Sequence, residues 1–233
     1  MNDSSAKTFG MAPRLRKAEV RHPDWRRGGA VNAIEKAGVV LEAIASLRAQ
    51  WAADERLRHP HLSPPSLLPT VVSGGEWPVT YPASCDLTMA VMYLPVQADE
   101  RGWGSAVRTE VQEWIVSQCA ERDDWLAAHP PVVEWWSNAV MPMEIPEAEP
   151  VVGAMLDASA DLGLRRELGG LDSWYDGATL TRLAGIPSVG FGPPGFDRDG
   201  LSVAHMVDEY VPVDGLVGCA QAVAVAAMRF CGA

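Results

Sequence analysis

The run Ile186-Pro187-Ser188-Val189-Gly190-Phe191 reads as a buried strand that empties into the loop Gly192-Pro193-Pro194, and further along the chain His205 is followed closely by Asp208 and Glu209. Loops at the carboxyl ends of strands are where α/β proteins place ligands. A neutral imidazole there is a natural zinc ligand, and a carboxylate close by can orient its second ring nitrogen. The same residues also read as a solvated loop histidine beside acids that cap a helix. Spacing leaves both readings open.

Other candidates carry less chemistry. The Gly192-Pro193-Pro194-Gly195 loop lacks the Lys and Ser/Thr of a phosphate-binding loop, so nucleotide binding has no support. His59, His61 and His129 adjoin prolines in turn-like text and read as solvated. Trp135-Trp136 reads as strand packing, and Glu110, Glu113, Asp123 and Asp124 as solvated helix faces. Four cysteines, Cys85, Cys119, Cys219 and Cys231, form no Cys-x-x-Cys pair and read as small apolar core residues in a reducing compartment.

Elements must hold such groups in place. Ile34, Ala37, Leu41, Ile44, Leu47 and Trp51 recur at helical spacing, and the helix ends before the Pro-rich turn 59–65. Leu67–Ser73 and Cys85–Leu94 read as strands, Val107 to Cys119 as a second amphipathic helix, and Pro131–Trp136 as another strand. With Arg14–Val20 extended, the order is strand, helix, strand, strand, helix, strand, the ferredoxin-like split arrangement. Residues 1–13 read as having no stable element. After Met141 the text changes to α/β alternation: a helix opened by Pro150 with Val151, Met155, Ala158 and Leu162 inward, a helix Gly177–Leu183 capped by Asp176 and stopped by Gly185, and a final helix capped by Asp214 and running to Phe230. The expected domains are therefore 14–141 and 142–233, in an α/β protein whose first domain is α+β.

Thirty Asp and Glu against 19 Lys and Arg give a net charge of −11, which argues against nucleic acid or an anionic membrane surface as a partner. The first 30 residues nonetheless hold seven basic and three acidic side chains, while those from 126 onward hold five basic and fourteen acidic. No apolar run follows the basic start, so a secretory signal is not expected. Leu216–Met228 is broken by Gly218 and Gln221 and is shorter than the roughly 20 residues of a membrane span. The chain is expected in the cytoplasm.

Taken together, Gly28-Gly29-Ala30-Val31-Asn32-Ala33-Ile34-Glu35-Lys36-Ala37, Gly74-Gly75-Glu76-Trp77-Pro78, Tyr93-Leu94-Pro95, Glu134-Trp135-Trp136, Gly185-Ile186-Pro187, Phe191-Gly192-Pro193 and Ala204-His205-Met206-Val207-Asp208-Glu209-Tyr210-Val211-Pro212 carry a resemblance. In that order they resemble the zinc-dependent family of acetylornithine deacetylase, succinyl-diaminopimelate desuccinylase and the glutamate carboxypeptidases. The Glu-Trp-Trp and Gly-Gly-Glu-Trp-Pro blocks are most similar to the acetylornithine-deacetylase-like deacylases.

The resemblance implies a ferredoxin-like lid at 14–141, dimerising edge to edge, and the last part of a zinc-hydrolase domain at 142–233. It implies His205 as a zinc ligand and His22 as the lid histidine that stabilises an oxyanion in the partner subunit's site. The substrate would be a small N-acyl amino acid. Relatives carry arginines for the substrate carboxylate at places held here by Met92 and Ala178, and Arg182, one turn after Ala178, is the substitute. Most zinc ligands and the catalytic Glu precede the lid in relatives, and Met1–Pro13 offers none of them. The chain alone is thus expected to be inactive, with the missing half coming from a longer reading frame or a partner chain. The alternative is a non-catalytic dimerisation or regulatory module. The apolar faces of Val151–Leu162 and Leu216–Phe230 are expected to be left uncovered.

Overall fold

Asn32 starts the first helix. Its Oδ1 accepts from the N–H groups of Ile34 at 3.0 Å and Glu35 at 3.4 Å, satisfying two donors that a helix start leaves without intrahelical partners. The structure is a computed structural model that describes residues 10–15, 30–136, 141–173, 175–193, 195 and 202–232. It divides into two units, Met1–Pro142 and Met143–Ala233.

Unit 1 runs β1 (Gly10–Leu15), α1 (Ala33–Ala53), β2 (Ser66–Gly74), β3 (Cys85–Met92), α2 (Ser105–Arg122), α3 (Asp124–Ala128) and β4 (Val132–Trp136). The four strands form one antiparallel sheet in the order β2-β3-β1-β4. This is the split order expected from the sequence. The first strand sits earlier than expected: it begins at Gly10 and ends at Leu15, so part of the segment read as structureless is sheet. Residues 16–20 lie outside the described residues. In β2 the register shifts between Pro69 and Val71, where a proline cannot donate a ladder bond on this edge strand.

Burial alternates along β3. Cys85, Leu87, Met89 and Val91 are buried while Asp86, Thr88 and Ala90 are only partly covered. The covered face meets Val40, Ile44, Leu47 and Trp51 of α1 and Val107, Val111, Ile115 and Cys119 of α2 in one cluster, closed by Leu126 of α3. The helical spacing seen in sequence is thus the inner stripe of two helices. Indole N–H groups tie the helices together: Trp114 donates to Ala43 O at 3.1 Å and Ser46 Oγ at 3.0 Å, and Trp51 donates to Glu110 Oε1 at 3.1 Å. Glu110 therefore does more than face solvent. The carboxylate of Asp123, also read as solvated, pairs with Lys36 and caps α3 through the N–H of Leu126 at 2.8 Å.

Unit 2 contains α4 (Pro150–Asp161), α5 (Gly177–Ala184) and α6 (Val213–Cys231). Pro150 opens α4, where its missing N–H costs nothing. Gly185, at φ 67°, stops α5 in the left-handed region that glycine tolerates. Two expected caps are not made. Asp176 is itself helical and bonds no N–H as a cap, and Pro212 precedes α6, with Asp214 inside the first turn rather than ahead of it. Acids there still favour the positive helix end.

α4 and α6 pack along a narrow seam in which Val152 and Ala158 are buried on α4 and Gly218, Ala222 and Ala226 on α6. Arg229 pairs with Asp161 across it. A Cβ on Gly218 would stand 3.0 Å from Leu164 Cδ2, so the small residue admits a leucine. Beyond that seam α6 exposes Leu216, Val217, Val223, Met228 and Phe230. By length and composition alone, α6 is long and apolar enough to cross a membrane, since it starts at Val213 and ends at Cys231 rather than spanning only the apolar run.

Candidate functional site

His205 lies in the turn-rich segment between Ser202 and Val211, and its backbone is at φ 62°, with Asp208 at φ 64°. Left-handed backbone is uncommon for a side chain with a Cβ, and such positions cluster at functional sites. The turn closes on itself through Glu209, whose Oε2 accepts from the main-chain N–H of His205 at 3.0 Å. The carboxylate thus fixes the backbone of the histidine. The expectation that a neighbouring acid orients the ring nitrogen is not what this turn does. His205, Asp208 and Glu209 are all exposed.

Arg182 is on the last turn of α5, exposed, while Ala178 one turn earlier is buried. Met92 is exposed at the end of β3. His22 lies outside the described residues. The structure therefore leaves His205 and Arg182 as the two candidates with a described position.

Ile186–Phe191 is not a strand. It has no sheet partner among the described residues, and Ile186 and Phe191 are exposed. Side chains from α5 and the residues ahead of it hold it. Thr181 Oγ1 donates to Ile186 O at 3.1 Å and accepts from Ser188 N at 3.1 Å, and Tyr175 Oη donates to Val189 O at 2.6 Å. The Tyr175 ring lies where a Cβ on Gly177 would be, 2.1 Å from Tyr175 Cε1. Sequence reasoning missed both clamps. The signal was Gly177, a poor helix former in the first turn of a helix.

Among the described residues no three His, Cys, Asp or Glu side chains stand close enough to hold a metal ion. One imidazole is one ligand, whereas a structural or catalytic zinc takes three or four. The described residues therefore do not by themselves fit a metal centre.

The topology of unit 1 has a counterpart among known proteins. Residues 20–121 match the M20 peptidase dimerisation domain. That stretch holds α1, β2, β3 and most of α2, the helices and hairpin of the split fold. No curated protein matches the chain in sequence. Among solved structures, aminopeptidase PepT from Bacillus cereus is similar at 14% identity and a TM-score of 0.59, over 95% of this chain and 51% of that one. A tripeptidase from Staphylococcus aureus aligns at 16% identity and 0.53, over 96% and 51%. A hydantoinase/carbamoylase-family amidase from Burkholderia vietnamiensis aligns at 13% and 0.56, over 95% and 46%. At these identities the likeness is one of fold. The chain spans about half the length of the structures it matches.

Proposed function

We propose that these residues form the C-terminal part of a metal-dependent amide hydrolase of the N-acyl amino acid deacylase type, paired as a homodimer through unit 1. The observation that carries this reading is the dimerisation-domain match at residues 20–121, set within a split four-stranded unit. The edge strand β2 supports the pairing, since Leu68, Val71 and Val72 are exposed beside its free ladder.

In this reading zinc is the metal, His205 is one of its ligands, His22 serves the oxyanion across the dimer, and Arg182 meets a substrate carboxylate. Acetylornithine-deacetylase-like specificity enters through the sequence blocks alone. The protein works in the cytoplasm. Because the described residues do not fit a metal centre, the remaining ligands come from outside them, on polypeptide that completes the catalytic domain.

The test is to purify the chain and measure its mass in solution, its bound metal and its hydrolysis of N-acetyl amino acids, alone and with the polypeptide encoded upstream of Met1. The expected result is a dimer that hydrolyses nothing alone and gains metal and activity on complementation. A monomer overturns the pairing; two tightly bound metal ions and hydrolysis by the chain alone overturn the need for further ligands. The second reading, a non-catalytic dimerisation or regulatory module, is favoured by the same lack of a ligand cluster among the described residues. A dimer that stays metal-free and inactive on complementation decides for it.

A further inference from the structure

We propose that the open face of the unit 1 sheet is an interface between copies of this chain, distinct from the β2 edge, so that two edge-paired dimers stack into a tetramer. The inference rests on the edge pair of the reading above and goes beyond it by adding a face.

The β2–β3 hairpin leads to it. Residues directly opposite in an antiparallel ladder share a face. Leu67, Leu87, Met89 and Val91 turn towards α1 and α2, so the open face takes Ser66 with Met92, Leu68 with Ala90 and Val71 with Thr88. The bulge between Pro69 and Val71 decides the last pair, because one extra residue makes Val71 rather than Thr70 the partner of Thr88 and turns a valine outward. Leu68 is 47% exposed, Val71 54% and Met92 42%, while Thr88 and Ala90 are partly covered. A sheet solvated on one face alternates apolar in and polar out. This corner is apolar on both faces.

Two observations name the occupant as a further copy. The first is continuity. The corner includes β2, the outer strand of the sheet, so pairing two β2 edges about a two-fold axis joins two corners into one uncharged patch of twice the size. A patch with two-fold symmetry is matched by the same patch on a second pair, and two twisted sheets stack face to face at about 10 Å. The second is charge. The chain carries −11, so copies repel where their acids meet. The charged positions of the open face lie outside the corner: Asp86 stands opposite Ser73, Arg14 opposite Asp86, and Glu134 is on the far edge strand β4. Two copies therefore meet at this corner without like charges facing each other.

Light scattering after size exclusion tests this on the intact chain over a concentration series. The expected mass rises from that of a dimer to that of a tetramer. Met92 is on β3 and takes no part in edge pairing, so Met92→Glu should weaken the tetramer on the order of 100-fold by setting carboxylates face to face, with the dimer and the far-ultraviolet circular dichroism unchanged. Thr88→Val makes the face more apolar in a residue suited to a strand and should tighten the tetramer, which keeps the test alive if the glutamate variant misfolds. A chain that stays dimeric at every concentration overturns the proposal and leaves the edge pair standing. A tetramer that neither variant alters places the contact elsewhere, α6 included, and overturns it too. A dimer that Met92→Glu splits into monomers keeps the face as the interface and removes the edge pair. A monomer throughout overturns both.

Discussion

The ammonium of Lys36 in the first turn of α1 sits 2.5 Å from Asp123 Oδ2, at the junction of α2 and α3, with both side chains about four-fifths covered. One carboxylate thereby joins three helices, because its other oxygen caps α3 through the Leu126 N–H. The Lys36 ammonium also stands 5.9 Å from the centre of the Trp125 ring. Asp123→Ala removes a cap and strands a largely covered ammonium, for a cost of about 2–3 kcal/mol. Lys36→Met keeps the aliphatic stem and leaves the cap, for a cost nearer 1 kcal/mol. Chemical denaturation of the two single variants and the double variant checks this, and equal costs for the two singles would contradict it.

Acid should loosen unit 1 through its capping carboxylates. Asp54 is drawn down to about 2, first by the side chain of Arg56 and then by that residue's backbone N–H. Asp99 is lowered by the Ser105 hydroxyl and by the N–H groups of Trp103 and Arg101. Burial raises Asp123, but the Lys36 and Leu126 bonds outweigh it and leave it lowered. A carboxyl whose folded pKa lies below its unfolded value stabilises the fold above the unfolded value, here the ordinary 3.8, and loses that contribution as pH falls towards the folded one. Melting temperature should therefore hold on this account from neutral pH to about 5 and fall between about 4 and 2. Asp99→Asn should lessen the fall.

The lid-like unit was legible because its signals are local. A buried stripe at helical spacing ending in Trp51, an Asn before it, and apolar runs bounded by Gly74-Gly75 and Pro95 each report on one element, and the split order follows from their sequence. Unit 2 was legible in its helices and not in its strand. Ile186–Phe191 has strand composition, but a strand exists only when another strand accepts its bonds, and no described residue does so. The links across elements were also hidden. Nothing near Asp123 in sequence announces Lys36, and nothing near Tyr175 announces Val189. His205 was visible by type, while its left-handed backbone and the Glu209 bond to its own N–H depend on a turn that sequence spacing does not specify.

Thiol chemistry should sort the four cysteines into two classes, although the sequence alone placed all four in the core. Cys85 and Cys119 are buried, and burial raises both thiols, Cys119 to about 11. Cys231 is exposed and Cys219 partly so. Since the thiolate is the reactive form, Ellman's reagent should titrate Cys231 within minutes and Cys219 more slowly in the native protein. Cys85 and Cys119 should react only on unfolding. Rapid modification of Cys119 in the folded chain, read by mass spectrometry, would contradict the packing of α2 on the sheet.

The Tyr175 clamp sets the last expectation. Gly177 leaves room for the Tyr175 ring, and that ring delivers a hydroxyl to Val189 O at 2.6 Å. Gly177→Ala places a methyl group 2.1 Å from Tyr175 Cε1, too close for two carbons, so the ring must swing away and abandon the carbonyl. Alanine is the better helix former by about 1 kcal/mol, so propensity alone predicts stabilisation here. The steric account predicts faster proteolytic cleavage within 185–193 and no gain in melting temperature. Tyr175→Phe removes the hydroxyl and keeps the ring, so it should reproduce the cleavage without the clash. If Gly177→Ala raises the melting temperature and leaves cleavage unchanged, the ring does not hold the loop.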